Sequence, residues 1–155
     1  MQNYLRKTIS RYNNFKLFST FKYTKTHEYI KINKDTNYAQ VGISKFAAEN
    51  IGEVVFVEMP KKNDVFQENE TFAILETIKA VNDIHMPING KIVEINNELN
   101  QELKDELDEE INSEIINNSP LDEGWLVKIK YDSEDLISRK LMDEKEYNSY
   151  LENLK

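Results

Sequence analysis

The chain has 155 residues, 39% hydrophobic and 31% charged, a composition expected of one folded, soluble domain. It has no cysteine and two histidines, which excludes a disulfide scaffold, a thiolate metal centre, a cysteine nucleophile and a histidine-rich metal site. The net charge of −8 splits into +6 before Glu28 and −14 from Glu28 onward, so the body repels nucleic acid and suits docking against basic protein surfaces.

Residues 1–27 contain Arg6, Lys7, Arg11, Lys16, Lys22 and Lys25 and no acid, with Ser, Thr and apolar residues between the cations. That is the composition of a mitochondrial transit peptide. It sets an expected leader over residues 1–22, a globular domain over 23–155, and a matrix location. A basic tail with no address is the alternative. No apolar run approaches the roughly 20 residues of a membrane helix, so no membrane partner is expected.

From Thr24 onward the pattern is one of short strands. Glu28–Ile32 and Tyr38–Ile43 read as strands around the turn-forming Asn33–Asn37. Ser44 can cap a short helix from Lys45 to about Asn50, stopped at Gly52. Val54–Glu58 is β-branched and aromatic, hence a strand ended by Pro60. Thr71–Thr77 alternates, with Phe72, Ile74 and Glu76 expected on one face and Ala73 and Leu75 on the other. Val81–His85 returns as a strand, Pro87, Asn89 and Gly90 turn the chain, and Lys91–Ile95 and Trp125–Lys130 complete the set. Helices are expected over Ser133–Lys140 and over Asp143–Leu154, where Asp143 and Glu146 form a capping box. Many short strands joined by turns predict a mainly β fold.

Glu98–Ile116 stands apart. Leu99, Leu103, Leu107, Ile111 and Ile115 recur every four residues among acids, which predicts an amphipathic helix, lying on the domain or docking a partner. Phe56 and Trp125 are expected in the core. His27 and His85 are expected to be ordinary surface or strand residues.

The stretch Glu76-Thr77-Ile78-Lys79-Ala80-Val81-Asn82-Asp83-Ile84 places a lysine where two strands meet. A lysine at a hairpin tip stands in water on a flexible four-carbon stem over a rigid base. By position alone it is an ordinary turn lysine. Its neighbours say more. Glu76-Thr77-Ile78-Lys79-Ala80 resembles the lipoyl-acceptor hairpin of glycine cleavage H-proteins, which usually reads Glu-Ser-Val-Lys-Ala. Thr26-His27-Glu28-Tyr29-Ile30 is similar to that family's His-Glu-Trp strand, and Val41-Gly42-Ile43 to its second strand. Ile51 to Pro60 is close to Leu-Gly-Glu-Val-Val-Phe-Val-Glu-Leu-Pro. Asn117-Asn118-Ser119-Pro120 with Gly124-Trp125-Leu126 is similar to the late signature. The resemblance spans about Lys22 to Tyr150. It departs at Tyr29 (usually tryptophan), at Asn63 and Asp64 (usually glycine), and in about ten extra residues between Asn96 and Asn117.

The resemblance implies a lipoyl-domain-like hybrid barrel-sandwich with short helices and a C-terminal helix. It implies lipoate attached as an amide to Lys79 by a lipoate ligase or octanoyltransferase. The arm then carries the aminomethyl group of glycine from glycine decarboxylase (P-protein) to aminomethyltransferase (T-protein), and dihydrolipoamide dehydrogenase (L-protein) reoxidises it. The chain itself would be a monomeric carrier with no catalytic residue and no metal. By motif position Thr26, Glu28 and Asp83 match residues of a cleft that shelters the loaded arm, with carboxylates favouring the protonated amine. Three alternatives stand beside this reading: a lipoyl domain of a 2-oxoacid dehydrogenase complex, which commonly shows Asp-Lys-Ala; a biotin carrier, which would need Met-Lys-Met; and a lipoyl donor for other enzymes.

Overall fold

The computed structural model describes residues 19–33, 35–133, 135 and 140–155. Among the described residues, apolar residues at period two build nine strands: β1 (Ser19–Tyr23), β2 (Glu28–Asn33), β3 (Tyr38–Ile43), β4 (Val54–Glu58), β5 (Val65–Phe66), β6 (Thr71–Thr77), β7 (Val81–His85), β8 (Gly90–Ile95) and β9 (Val127–Lys130). They form a six-stranded sheet in the order β1-β2-β3-β9-β8-β5 and a three-stranded sheet β4-β6-β7, antiparallel throughout. Ile30, Val41, Ile43, Leu75, Met86, Ile88, Ile92, Leu126 and Ile129 fill the space between them and are at most 1% exposed. The short helix α1 (Lys45–Asn50) carries the expected cap, with Ser44 accepting from the Ala47 amide, and Gly52 follows its end at φ +87°. This is the mainly β fold, with short helices and a closing helix, that the strand pattern and the resemblance imply.

β1 begins inside the segment expected as a leader. Ser19–Asn33 to Tyr23–Tyr29 is a full antiparallel register, so residues 19–22 of that segment pair as a strand with β2. Tyr23, Tyr29 and Tyr147 make a second, aromatic core between this edge and the closing helix α4 (Glu144–Asn153). Tyr23 stacks on Tyr147 at 4.4 Å and 4°. Asp143 and Glu146 close the capping box read from sequence. Tyr29, where the family usually has tryptophan, is fully buried, and its ring lies over Gly42: a Cβ there would stand 2.8 Å from Tyr29 Cε1. The expected helix over 133–140 falls largely outside the described residues.

Three expectations fail for physical reasons. First, Glu98–Ile116 is not one helix but a 3₁₀ turn (Asn97–Leu99), α2 (Gln101–Leu107) and α3 (Glu114–Asn118). A repeat of four drifts roughly 40° per step on a 3.6-residue helix, so the stripe cannot face one surface for four turns. Asn100 instead caps α2 through its side chain, and Asp108 ends it in the left-handed region at φ 54°. Leu99 and Ile116 reach the core, whereas Leu107 is 56% exposed. Second, a register shift between Val54 and Phe56 sends Val54 and Val57 inward and leaves Phe56 44% exposed. Trp125 is half-buried, under the Lys128 ammonium at 4.7 Å, and β9 begins only at Val127. Third, a shift between Thr71 and Ala73 breaks the alternation of β6, so Phe72 is buried along with Ala73, Leu75 and Thr77. The Asn63 departure keeps its turn: Asn63 takes φ 77°, which asparagine tolerates better than most residues.

Gly124 lies where chain meets chain. A Cβ on it would stand 2.2 Å from the Ile115 carbonyl oxygen and 2.8 Å from that of Ser119, both backbone. Gly124→Ala is therefore expected to destabilise the domain by about 3 kcal/mol, read as a lowered urea midpoint at unchanged slope.

Candidate functional site

Lys79 sits at the tip of the β6–β7 hairpin. Glu76 pairs with Val81, and the Thr77 amide donates to the Ala80 carbonyl at 2.9 Å, leaving Ile78 and Lys79 as a two-residue loop. Lys79 is exposed and its ammonium has no hydrogen bond or ion pair among the described residues. Ile78 beside it is 82% exposed, and Val81, Val55 and Phe56 are also exposed. The base beneath is fixed: Leu75 is fully buried, and Asn82 Nδ2 donates back to the Leu75 carbonyl at 3.2 Å. The tip can thus move its side chain without moving its backbone. An amine so free in water is open to acylation, which is the fit a covalently attached acyl group requires.

A second constellation joins the two sheets. Glu28, 1% exposed, sends its carboxylate toward β7. Its Oε2 accepts from the hydroxyls of Thr24 and of Thr26, the latter at 2.5 Å. Its Oε1 accepts from the His85 amide at 2.9 Å and lies 3.3 Å from His85 Nδ1. A buried carboxylate is costly unless it is paired and hydrogen-bonded, and this one is surrounded by donors. Thr26 and Glu28 are therefore brought together, and Thr24 and His85 join them. Thr24, Thr26 and Glu28 meet because the chain turns between β1 and β2, where the His27 amide donates to the Thr24 carbonyl at 3.2 Å and His27 takes φ 75°. No sequence signal points to His85. Asp83 is not part of this cluster. It is exposed, two residues before His85 on the same face of β7, between the cluster and the tip.

His27 also leaves its expected role. It sits at φ 75°, its ring packed on Phe46 at 4.7 Å, and its Nδ1 is 2.7 Å from the Tyr147 hydroxyl. That hydroxyl lies 2.8 Å from Ser44 Oγ, which accepts from the Ala47 amide. One proton order that satisfies the row has Ser44 donating to Tyr147 and Tyr147 to His27 Nδ1, with the imidazole neutral and its proton on Nε2; the reverse order, with His27 Nδ1–H donating, satisfies it too. Burial holds the His27 pKa below its usual 6.5, against the opposing pull of Glu28 next to it. Burial likewise pushes the Tyr147 phenol up to about 12. Tyr150 adds a 3.0 Å hydrogen bond to the Lys25 carbonyl. Helix α4 is thus pinned to the strand end that carries Glu28.

A rigid two-sheet platform with one free amine at a hairpin tip and a satisfied buried acid near the foot of the same strand defines a carrier domain. The glycine cleavage H-protein family model matches residues 21–154. The glycine cleavage system H protein of Halothermothrix orenii is 42% identical over 133 residues, 85% of this chain and 93% of that protein. That of Staphylococcus epidermidis is 38% identical over 133 residues, 86% of this chain and 95% of its own length. A crystal structure of a glycine cleavage system H protein from Mycobacterium marinum superposes with a TM-score of 0.65 at 26% identity, covering 84% of this chain and 94% of that one. The chain belongs to the glycine cleavage H-protein family. The match runs far past the hairpin on both sides, which favours this family over the 2-oxoacid dehydrogenase and biotin-carrier readings of the hairpin alone.

A histidine with a lowered folded pKa binds its proton more readily in the unfolded chain. Its contribution to stability is therefore intact above about pH 6.5 and is lost as the pH falls through that value toward the folded pKa. His27→Asn, which accommodates the positive φ, is expected to flatten the fall in urea midpoint between pH 7.5 and pH 5.5. An unchanged fall in the variant would refute the assignment.

Proposed function

We propose that Lys79 is the lipoylated residue of this chain, carrying the aminomethyl group of glycine between the enzymes of a glycine cleavage system. The family is one of non-catalytic, lipoate-bearing carriers of that system, working with its P-, T- and L-proteins. Bound there, lipoate would supply a dithiolane that takes up the aminomethyl group and the electrons released with it. The observation that carries the assignment is the free, exposed Lys79 amine on a hairpin whose backbone is held on both sides. Attachment to Lys79 would be made by a lipoate ligase or octanoyltransferase, and the carrier would work as a monomer.

The cleft roles divide between the acids. Glu28 has its oxygens occupied by Thr24, Thr26 and His85, so we assign it, with Thr26, to holding the foot of β7 in place. Asp83 is the exposed carboxylate on the path from tip to foot, and Val81 to His85 spans roughly 13 Å at a strand's rise per residue. Asp83 is placed to favour the protonated amine of a cargo folded back along the strand. The acid-free first 27 residues support import into mitochondria and a matrix location. Because β1 starts at Ser19, the leader would end before that residue rather than at residue 22.

Peptide mass analysis of native protein is expected to show one lipoyl adduct, on Lys79, and a mature chain that retains Ser19–Tyr23. A bare Lys79 would overturn the assignment, and a chain beginning after Tyr23 would overturn the boundary. Asp83→Asn is expected to leave lipoylation unchanged while loaded protein loses formaldehyde about fivefold faster, the worth of one exposed ion pair near 1 kcal/mol. Unaltered loss, followed with labelled glycine and the decarboxylase, would remove Asp83 from the cleft.

A further inference from the structure

The hairpin that lifts Lys79 is not closed in the usual way. Two-residue β-hairpin loops favour positive φ at one or both loop positions, because that geometry matches the twist of the strands. Ile78 and Lys79 are non-glycine residues that both keep negative φ. A loop of that shape splays the strands it joins. The backbone keeps one closing bond, Thr77 N–H to Ala80 O at 2.9 Å. The reciprocal donor, the Ala80 amide, goes instead to Thr77 Oγ1 at 3.2 Å, and the same hydroxyl lies 3.3 Å from the Ala80 carbonyl oxygen. One side chain therefore replaces the missing backbone bond.

Thr77 is suited to hold that hydroxyl still. It is 9% exposed and pairs across the sheet with the buried Val54, so its methyl is anchored on the platform. A β-branched side chain has few χ1 states. With the methyl fixed, the hydroxyl faces the loop and the loop is tied to the core.

We propose that Thr77 is a positioning residue for the acylation of Lys79. Its hydroxyl staples the loop and sets the height and direction at which the amine is offered to the modifying enzyme. This rests on Lys79 being the acceptor. Holding a nucleophile in place lowers the entropy lost on reaching the transition state. The staple thus acts on the rate at which Lys79 is modified, while the exposed loop contributes little to global stability because water can satisfy the freed Ala80 amide.

Methyl and hydroxyl can be separated. Thr77→Val keeps the anchor and loses the staple; Thr77→Ser keeps the staple and loses the anchor. The measurement is the rate of lipoylation of the full chain by a lipoate–protein ligase with ATP and lipoate, followed by intact mass, with a thermal melt of each variant. Thr77→Val is expected to lower kcat/KM for the carrier about fivefold, one hydrogen bond's worth, with a melt near that of the parent. Thr77→Ser is expected to retain most of the rate despite a lower melt. Parental rates for Thr77→Val, or equal losses of rate in both variants, would overturn the staple. Lys79→Gln serves as the control: a lipoyl adduct on it would overturn the acceptor assignment and this proposal together, whereas a result confined to Thr77 leaves Lys79 standing.

Discussion

The carboxylate of Glu28 is the tie on which the arrangement depends. It stands on β2 of the larger sheet and accepts from the amide of His85 on β7 of the smaller one. Two sheets packed through apolar side chains alone are held mainly by non-directional burial. A charged hydrogen bond between backbone and buried carboxylate is directional and roughly twice as strong as a neutral one. It fixes one end of β7, and β7 ends at the lysine loop on the other side. A displacement at Glu28 would thus travel along one five-residue strand to Lys79.

The same tie explains why the C-terminal helix matters to a site it does not touch. His27 and Glu28 are consecutive, so whatever holds the imidazole also holds the strand entering the carboxylate cluster. Tyr147 does this from α4, through His27 and Ser44 on one side and the Tyr23 ring on the other. Burial favours the neutral imidazole in this row. The helix is short and polar on its outer face. What it adds is the completion of a small aromatic core along the β1–β2 edge.

Much of the fold was legible because its signals are local. Tyr38–Ile43, Val54–Glu58, Thr71–Thr77 and Val81–His85 fall at the bounds that alternation and turn residues suggest, and the caps at Ser44 and Asp143 follow from a single side chain meeting a nearby amide. Local pattern falls short where distant contacts decide. β1 carries no acid, and its pairing with β2 is what makes it a strand. Phe56 reads as core until a bulge turns it outward. At the site, Lys79 and Thr26 lie in recognisable motifs, whereas His85 joins Glu28 across 57 residues and His27 joins Tyr147 across 120, separations over which no sequence pattern speaks.

The acidic stretch between Asn96 and Asn117 closes on itself. Its ends meet: the Asn112 amide donates to the Glu98 carbonyl at 2.9 Å. Inside the loop Lys104, 6% exposed, places its ammonium 2.9 Å from Glu109 and 3.4 Å from Glu98, so a segment rich in like charge contains its own counter-ion. Closing a loop of this length costs little more entropy than closing a shorter one, and Leu99 and Ile116 sink into the main core on either side. The stretch is thus tied to the platform at both ends. Asn117 hydrogen-bonds the Val54 amide at 3.0 Å, and the Ser113 hydroxyl donates to the Val54 carbonyl at 2.8 Å. Val54 is the strand partner of Thr77. The hairpin's footing is therefore held in part by this stretch, whose acids stay on the surface.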